Sequence, residues 1–298
     1  MNILVIKHGA LGDIILAAPA FAAIRAAHAH DEITLLTTAP FVPFLSASPW
    51  FDRVIADAKP KVWDISGVLK LRAQLSGFDM VYDLQTSSRS SRYFALAGKP
   101  RWSGIAPGCA LPDANKQRDF IHTRERLAGQ LAVAGITPLL PPDFSWVSAD
   151  ISRFMLPPRF VVLVPGAAPH RPEKRWPEAK FAVLAAQLPM QAVVVGTRGE
   201  AGLASIIRSF APQSMDLTGQ TNLLELLAVI KQANLAVGND TGPMHMAAAL
   251  GVTSLVMFSS ASDPKITAPR YPDGGWPTIL QAPHLADLSV AQIVAALP

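Results

Sequence analysis

The stretch "VGNDTGPMHMAAALGV", residues 237–252, decides how the chain is read. An apolar segment ends in Asn239-Asp240-Thr241-Gly242-Pro243. Helix formers from Met244 to Leu250 follow at once, and Gly251 stops them. A buried strand, a short polar loop and a helix in direct succession is the building unit of a parallel α/β sheet. An acid, a hydroxyl and a glycine pressed against a helix start do one of two jobs. They cap the helix, or they present its first backbone N–H groups to an anion.

The same unit recurs along all 298 residues. In the first half, strands are expected at 2–7, 33–38, 53–56 and 80–84, with a short one at 101–105, and helices at 13–28, 63–76, 90–97 and 122–134. Residues 137–160, "TPLLPPDFSWVSADISRFMLPPRF", are Pro-rich without sustained period and read as a linker. Strands then return at 160–164, 191–196, 235–238 and 253–258, with a short one at 215–217. Their helices fall at 177–188, 200–210, 222–233, 243–250 and 289–297. Strands that are apolar throughout belong to parallel sheets covered on both faces. The expected fold class is therefore α/β, two Rossmann-like domains facing a central cleft. The domains are expected at 1–148 and 159–284, with 285–298 as a separate C-terminal helix. In open parallel sheets, ligands lie beyond the carboxyl ends of the strands, so the loops there carry the information.

Composition narrows the ligand. Half of the residues are hydrophobic and 16% are charged, which excludes a disordered chain. The formal charge of +4 suits an anionic small molecule, an anionic lipid surface or a nucleic acid. Nucleic acid is the weakest of these, because the aromatics do not interleave with a basic stripe. The single cysteine, Cys109, forms no intrachain disulfide and reads as a small buried hydrophobe. No His/Cys cluster has metal spacing, so no metal site is expected. The run "MNILVIK" meets a Gly loop with no basic region before it, so no signal peptide is expected. Residues 14–24 are too short to span a bilayer. The expected location is the cytoplasm, with room for peripheral contact at the cytoplasmic face of a membrane.

Each strand-end loop has a structural and a functional reading. In "KHGALGDIILAAPAF", residues 7–21, Gly9 and Gly12 permit a sharp turn, and Asp13 stands where the helix begins. There it reads as an acid favoured by the helix dipole. The Gly-x-x-Gly spacing and the lack of an acid after the next strand exclude a dinucleotide fingerprint. In "DLQTSSRSSRYF", residues 83–94, Gln85, Arg89 and Arg92 are solvated polar groups or contacts for a carboxylate or phosphate. Residues 164–177, "VPGAAPHRPEKRWP", place Gly166 before His170, Arg171, Lys174 and Arg175, which form a solvated loop or a diphosphate cradle. Glu200, in "VGTRGEAGLA", caps a helix or binds two ribose hydroxyls. His245 stands one turn into the helix that Asp240, Thr241 and Gly242 introduce.

Residues 7–20, 82–94, 164–177 and 238–251 together resemble the lipopolysaccharide heptosyltransferases of glycosyltransferase family 9. The resemblance implies a GT-B fold whose C-terminal helix crosses back onto the N-terminal domain. It implies inverting transfer from a nucleotide sugar, ADP-heptose in the family, to an anionic glycolipid of the lipopolysaccharide core. Under it Asp13 is the catalytic acid or base, Lys174 binds phosphate and Glu200 binds ribose. Asp240, Thr241, Gly242 and His245 form the donor loop, with Gly166, His170 and Arg171 beside them. Arg89 faces the acceptor, with Gly12, Gln85 and Arg92 as neighbours. The nucleotide sugar is a substrate, and no cofactor is expected. The alternatives are a sugar-nucleotide epimerase on the same fold and a non-catalytic nucleotide-sugar binder. An acid beside a diphosphate weakens anion binding unless chemistry needs it, which argues against the binder.

Overall fold

The structure, a computed structural model, describes residues 1–298. Its contacts divide the chain into two compact units, Met1–Trp146 and Val147–Pro298.

In the first unit the strands are β1 (Asn2–Ile6), β2 (Glu32–Thr37), β3 (Arg53–Ala56), β4 (Met80–Asp83), β5 (Arg101–Gly104) and β6 (Leu111–Pro112). They pair in parallel in the order β3-β2-β1-β4-β5-β6. The helices are α1 (Leu11–Ala27), α2 (Val42–Ser46), α3 (Ile65–Leu75), α4 (Ser88–Leu96) and α5 (Thr123–Val133). Leu4, Ile6, Leu36 and Val81 of the sheet pack with Leu71 and Leu75 of α3 and with Tyr93 and Phe94 of α4. Cys109 is buried in this cluster as expected.

The second unit repeats the plan. Its strands are β7 (Phe160–Val164), β8 (Gln191–Val194), β9 (Met215–Asp216), β10 (Leu235–Asn239), β11 (Ser254–Phe258) and β12 (Thr278–Gln281). The order is β12-β11-β10-β7-β8-β9, again all parallel. Its helices are α6 (Glu178–Gln187), α7 (Ala201–Phe210), α8 (Leu223–Gln232), α9 (Gly242–Ala249), α10 (Pro264–Thr267) and α11 (Val290–Ala296). Each sheet runs outward in both directions from its first strand. The winding reverses between β1 and β4 in one unit and between β7 and β10 in the other, and ligands bind at such reversals.

In the C-terminal helix α11, Ile293 is fully buried in the core of the second unit, with Trp176 and Phe181. Trp176 Nε1 donates to the Leu288 carbonyl at 3.0 Å, and Lys180 Nζ donates to the same carbonyl at 2.8 Å. These bonds hold α11 along α6.

One buried acid in the first unit makes a pH prediction. Asp83, at the end of β4, is fully buried. Its Oδ1 accepts from the N–H groups of Gln85 (3.1 Å) and Thr86 (3.0 Å), while Oδ2 has no hydrogen-bond partner. Burial pushes its pKa up to about 6, against the pull of these bonds. Below the ordinary value of 3.8, folded and unfolded chains both hold the proton. Between there and about 6 only the folded chain keeps it, so stability falls as pH rises through that window. The loss amounts to about 3 kcal/mol. Asp83→Asn keeps the acceptor and removes the titration. Denaturant melts are expected to show wild type and variant alike near the acid end of the window. The variant should be the more stable above it.

Candidate active site

At the reversal in the first unit, β1 runs into Lys7, His8 and the glycine loop. Asp13 is half-buried in the first turn of α1, and its Oδ2 accepts the Ala10 N–H at 2.9 Å. The carboxylate therefore does cap the helix. It also sits among cations. The Lys7 ammonium is buried and donates to the Leu84 carbonyl at 3.3 Å. Burial lowers the pKa of Lys7, while the negative charge of Asp13 draws it back up. Arg126 of α5 is likewise lowered, chiefly by burial and then by Arg118, with Asp119 and Asp13 opposing. Asp13 thus lies in the field of a buried ammonium and a partly buried guanidinium.

Gln85, beyond β4, accepts the His8 N–H at 2.9 Å through Oε1, which ties the two loops together. Arg89 and Arg92 are exposed on α4. Arg89 reaches the Pro60 carbonyl at 3.4 Å. His8 Nε2 lies 2.8 Å from Asp57 Oδ2, and the Tyr93 hydroxyl donates to the same oxygen at 2.7 Å. Burial would raise the Asp57 pKa, but His8, Tyr93 and the Lys59 N–H outweigh it and hold it low. This buried trio pins the ends of β1 and β3 to α4.

At the reversal in the second unit, Lys174 Nζ lies 2.5 Å from Asp240 Oδ2, and the Ser262 hydroxyl donates to that oxygen at 2.8 Å. His245 Nε2 is 3.7 Å from Asp240 Oδ1. Burial alone would raise the Asp240 pKa, yet His245 and Lys174 together bring it down to about 2. His245 is buried, and its Nδ1 has no hydrogen-bond partner. Thr241 is the N-cap of α9, but its hydroxyl donates to the Asn239 carbonyl, and no side chain caps the helix. Pro243 has no N–H and the Met244 N–H donates to the Thr241 carbonyl at 3.0 Å, so the first turn leaves the Gly242 N–H to an anion.

Asn239 holds the two loops in register. Its Nδ2 donates to the Pro165 carbonyl at 2.8 Å, and its Oδ1 accepts the Trp176 N–H at 3.0 Å. Gly166 leaves room for the Glu200 carboxylate. A Cβ there would lie 1.7 Å from Glu200 Oε1, and one at Gly196 would lie 2.6 Å from Oε2, so either would push that side chain aside. Glu200 Oε2 accepts the Thr197 N–H at 2.6 Å, a capping bond, while Oε1 stays toward Gly166. Arg171 is committed to Glu173 (2.8 Å) and to the Ala261 carbonyl (2.7 Å), so it stiffens the loop. His170 is exposed on the same loop.

The structure thus brings Lys174, Asp240, Thr241, Gly242 and His245 into one cluster, with Gly166 and Glu200 side by side at the neighbouring strand ends. Asp13, Gly12 and Gln85 share the reversal of the first unit. Sequence reasoning missed Lys7, Arg126, the His8–Asp57–Tyr93 trio, Asn239 and Ser262. A signal existed for Ser262, since the hydroxyl run Ser259-Ser260-Ala261-Ser262 follows a strand end. None existed for Arg126, which joins the site only through packing of α5 on α1.

Two parallel six-stranded sheets, each with its winding reversal, are the GT-B class of fold, and comparison with known proteins agrees. A solved structure of E. coli ADP-heptose lps heptosyltransferase II superimposes with a TM-score of 0.79 at 23% identity, over 100% of this chain and 97% of that one. E. coli heptosyltransferase WaaC with ADP-2-deoxy-2-fluoro heptose gives 0.77 at 20% identity, over 99% and 98%. Lipooligosaccharide heptosyltransferase 2 of Haemophilus influenzae is 26% identical over 90% of this chain and 86% of its own length. Residues 68–274 match glycosyltransferase family 9 (heptosyltransferase), and the chain belongs to that family.

Proposed function

We propose that the chain moves heptose from ADP-heptose onto a sugar of the lipopolysaccharide core, with inversion at the anomeric carbon. The observation that carries this reading is the Lys174–Asp240 pair beside the uncapped start of α9. A cation held by a buried carboxylate, next to the Gly242 N–H at a helix start, suits the charge that develops on a departing diphosphate. Glu200 would take the ribose hydroxyls. The relatives named above supply the expectation of adenine, heptose and a core acceptor.

In the proposed step, Asp13 accepts the proton of the acceptor hydroxyl. The hydroxyl oxygen bonds to the anomeric carbon as the bond to the diphosphate breaks on the opposite face, and ADP leaves with both electrons of that bond. Gly12, Gln85, Arg89 and Arg92 would meet the acceptor, and Arg126 would add a cation for its acidic groups. Lys174 and α9 supply the positive charge in this reading, with no resident cofactor or metal required. No helix is long and apolar enough to cross a membrane. A glycolipid acceptor would place the reaction at the cytoplasmic face of one.

Thermal unfolding in the presence of ADP, UDP and GDP tests the donor. A nucleotide at a hundred times its dissociation constant adds about 2.7 kcal/mol, and ADP is expected to act at the lowest concentration. Gly166→Ala is expected to fold and to lose the ADP shift, because its methyl displaces Glu200. Preference for UDP, or no stabilisation by any nucleotide, would defeat the assignment.

A further inference from the structure

The first unit carries an apolar surface that neither the fold nor the site uses. Val62, Trp63, Ile65 and Leu69 are 76%, 73%, 72% and 58% exposed. They are close in sequence, at the end of the β3–α3 connection and on the outer face of α3. The helix turns Leu71 and Leu75 into the core and leaves Ile65 and Leu69, one turn apart, pointing away from it. Large side chains exposed together in this way mark an interaction surface.

The charges around them say what that surface meets. Residues 58–76 hold Lys59, Lys61, Lys70 and Arg72 against one acid, Asp64. Asp64 is occupied as the α3 N-cap, accepting from the Gly67 N–H at 2.9 Å. The Lys61 ammonium lies 5.2 Å from the centre of the Trp63 ring. An exposed tryptophan beside lysines, on an amphipathic helix edge, is the composition that rests in the headgroup layer of an anionic bilayer. A protein partner of ordinary composition would not need so one-sided a charge.

Its position in the unit agrees. The residue just before the segment, Asp57, contacts His8 of the Asp13 loop, and within the segment the Pro60 carbonyl accepts from Arg89. The apolar surface therefore continues directly from the loops assigned to the acceptor. We infer that residues 59–72 dock this protein onto an anionic membrane surface, with Trp63, Ile65 and Leu69 entering the headgroup layer and Lys59, Lys61, Lys70 and Arg72 facing lipid phosphates. The inference deepens the proposed function by giving a lipid-borne acceptor a route to Asp13. It stands or falls on lipid binding alone.

The test is sedimentation of the full chain with vesicles of phosphatidylcholine, with and without phosphatidylglycerol, in the absence of any acceptor or donor. Binding is expected only with the anionic lipid. It should weaken as salt shortens the screening length from about 10 Å at 0.1 M to about 3 Å at 1 M. Lys61→Ser and Lys70→Ser should each cost about fivefold in partitioning. Trp63→Ser/Leu69→Ser should cost about tenfold or more. These side chains are exposed, so the unfolding midpoint should stay constant. Phe210→Ser, at an exposed site in the second unit, should leave binding unchanged. Equal binding by the Trp63→Ser/Leu69→Ser variant, or none to anionic vesicles, overturns the inference. A dimer in solution that the same variant abolishes, without lipid binding, would also overturn it and make the surface a contact between copies. Loss of vesicle binding with intact transfer to a water-soluble acceptor separates docking from the proposed chemistry.

Discussion

Asp13→Asn is expected to lower transfer by about 10²–10⁴-fold, the range that a general base contributes. Asparagine keeps an oxygen to accept the Ala10 N–H, which Asp13 now accepts at 2.9 Å, so the helix cap survives while the base is lost. The unfolding midpoint should move by no more than a few degrees, and the ADP shift should be unchanged. Asp13→Ala removes both functions and should add a stability loss of about 1 kcal/mol, typical of a lost cap. Comparing the two separates the readings that this loop left open. Initial rates at saturating donor decide it. An asparagine variant within a few-fold of wild type would leave Asp13 as a cap and nothing more.

Lys174→Met should be felt in both stability and binding. It leaves the buried carboxylate of Asp240 with the Ser262 hydroxyl and a ring nitrogen 3.7 Å away. Breaking a buried ion pair from one side costs about 3 kcal/mol. Affinity for ADP should fall about tenfold or more, the worth of a charged hydrogen bond. Removing both charges, as Lys174→Met/Asp240→Asn, is expected to restore most of the stability and none of the affinity. Urea unfolding and nucleotide titration on the three proteins measure this. Recovery of affinity in the double variant would show that Lys174 serves only the fold. Because Asp240 is depressed to about 2, the contribution of the pair is complete above the ordinary carboxylate value of 3.8. It is lost only as the pH falls through about 2, so no change in working pH substitutes for the mutations.

The fold was legible because buried parallel strands are written as unbroken apolar runs. "FVVLV" at β7 and "SLVMF" at β11 have no solvent face to alternate with. Short elements lacked such a signal. The strand β12, "TILQ", is half-exposed at a sheet edge, and α2 spans five residues around a proline. The site was legible as positions, since Asp13, Lys174, Glu200 and Asp240 all lie beyond strand ends. Their partnerships were not. Lys174 and Asp240 are 66 residues apart in the chain, and only the sheet order makes them neighbours. The apolar face of α11 around Ile293 is plain in sequence, but an apolar face does not say which core it completes.

The bond from the Trp176 indole to the Leu288 carbonyl has a practical corollary. Trp176 stands two residues beyond Lys174, and its own backbone N–H is gripped by Asn239. The segment that leads into α11 is thereby wired to the loop that carries Lys174. A change that loosens α11, such as Ile293→Ser in its buried face, is expected to be felt at the Lys174–Asp240 pair although it touches neither residue.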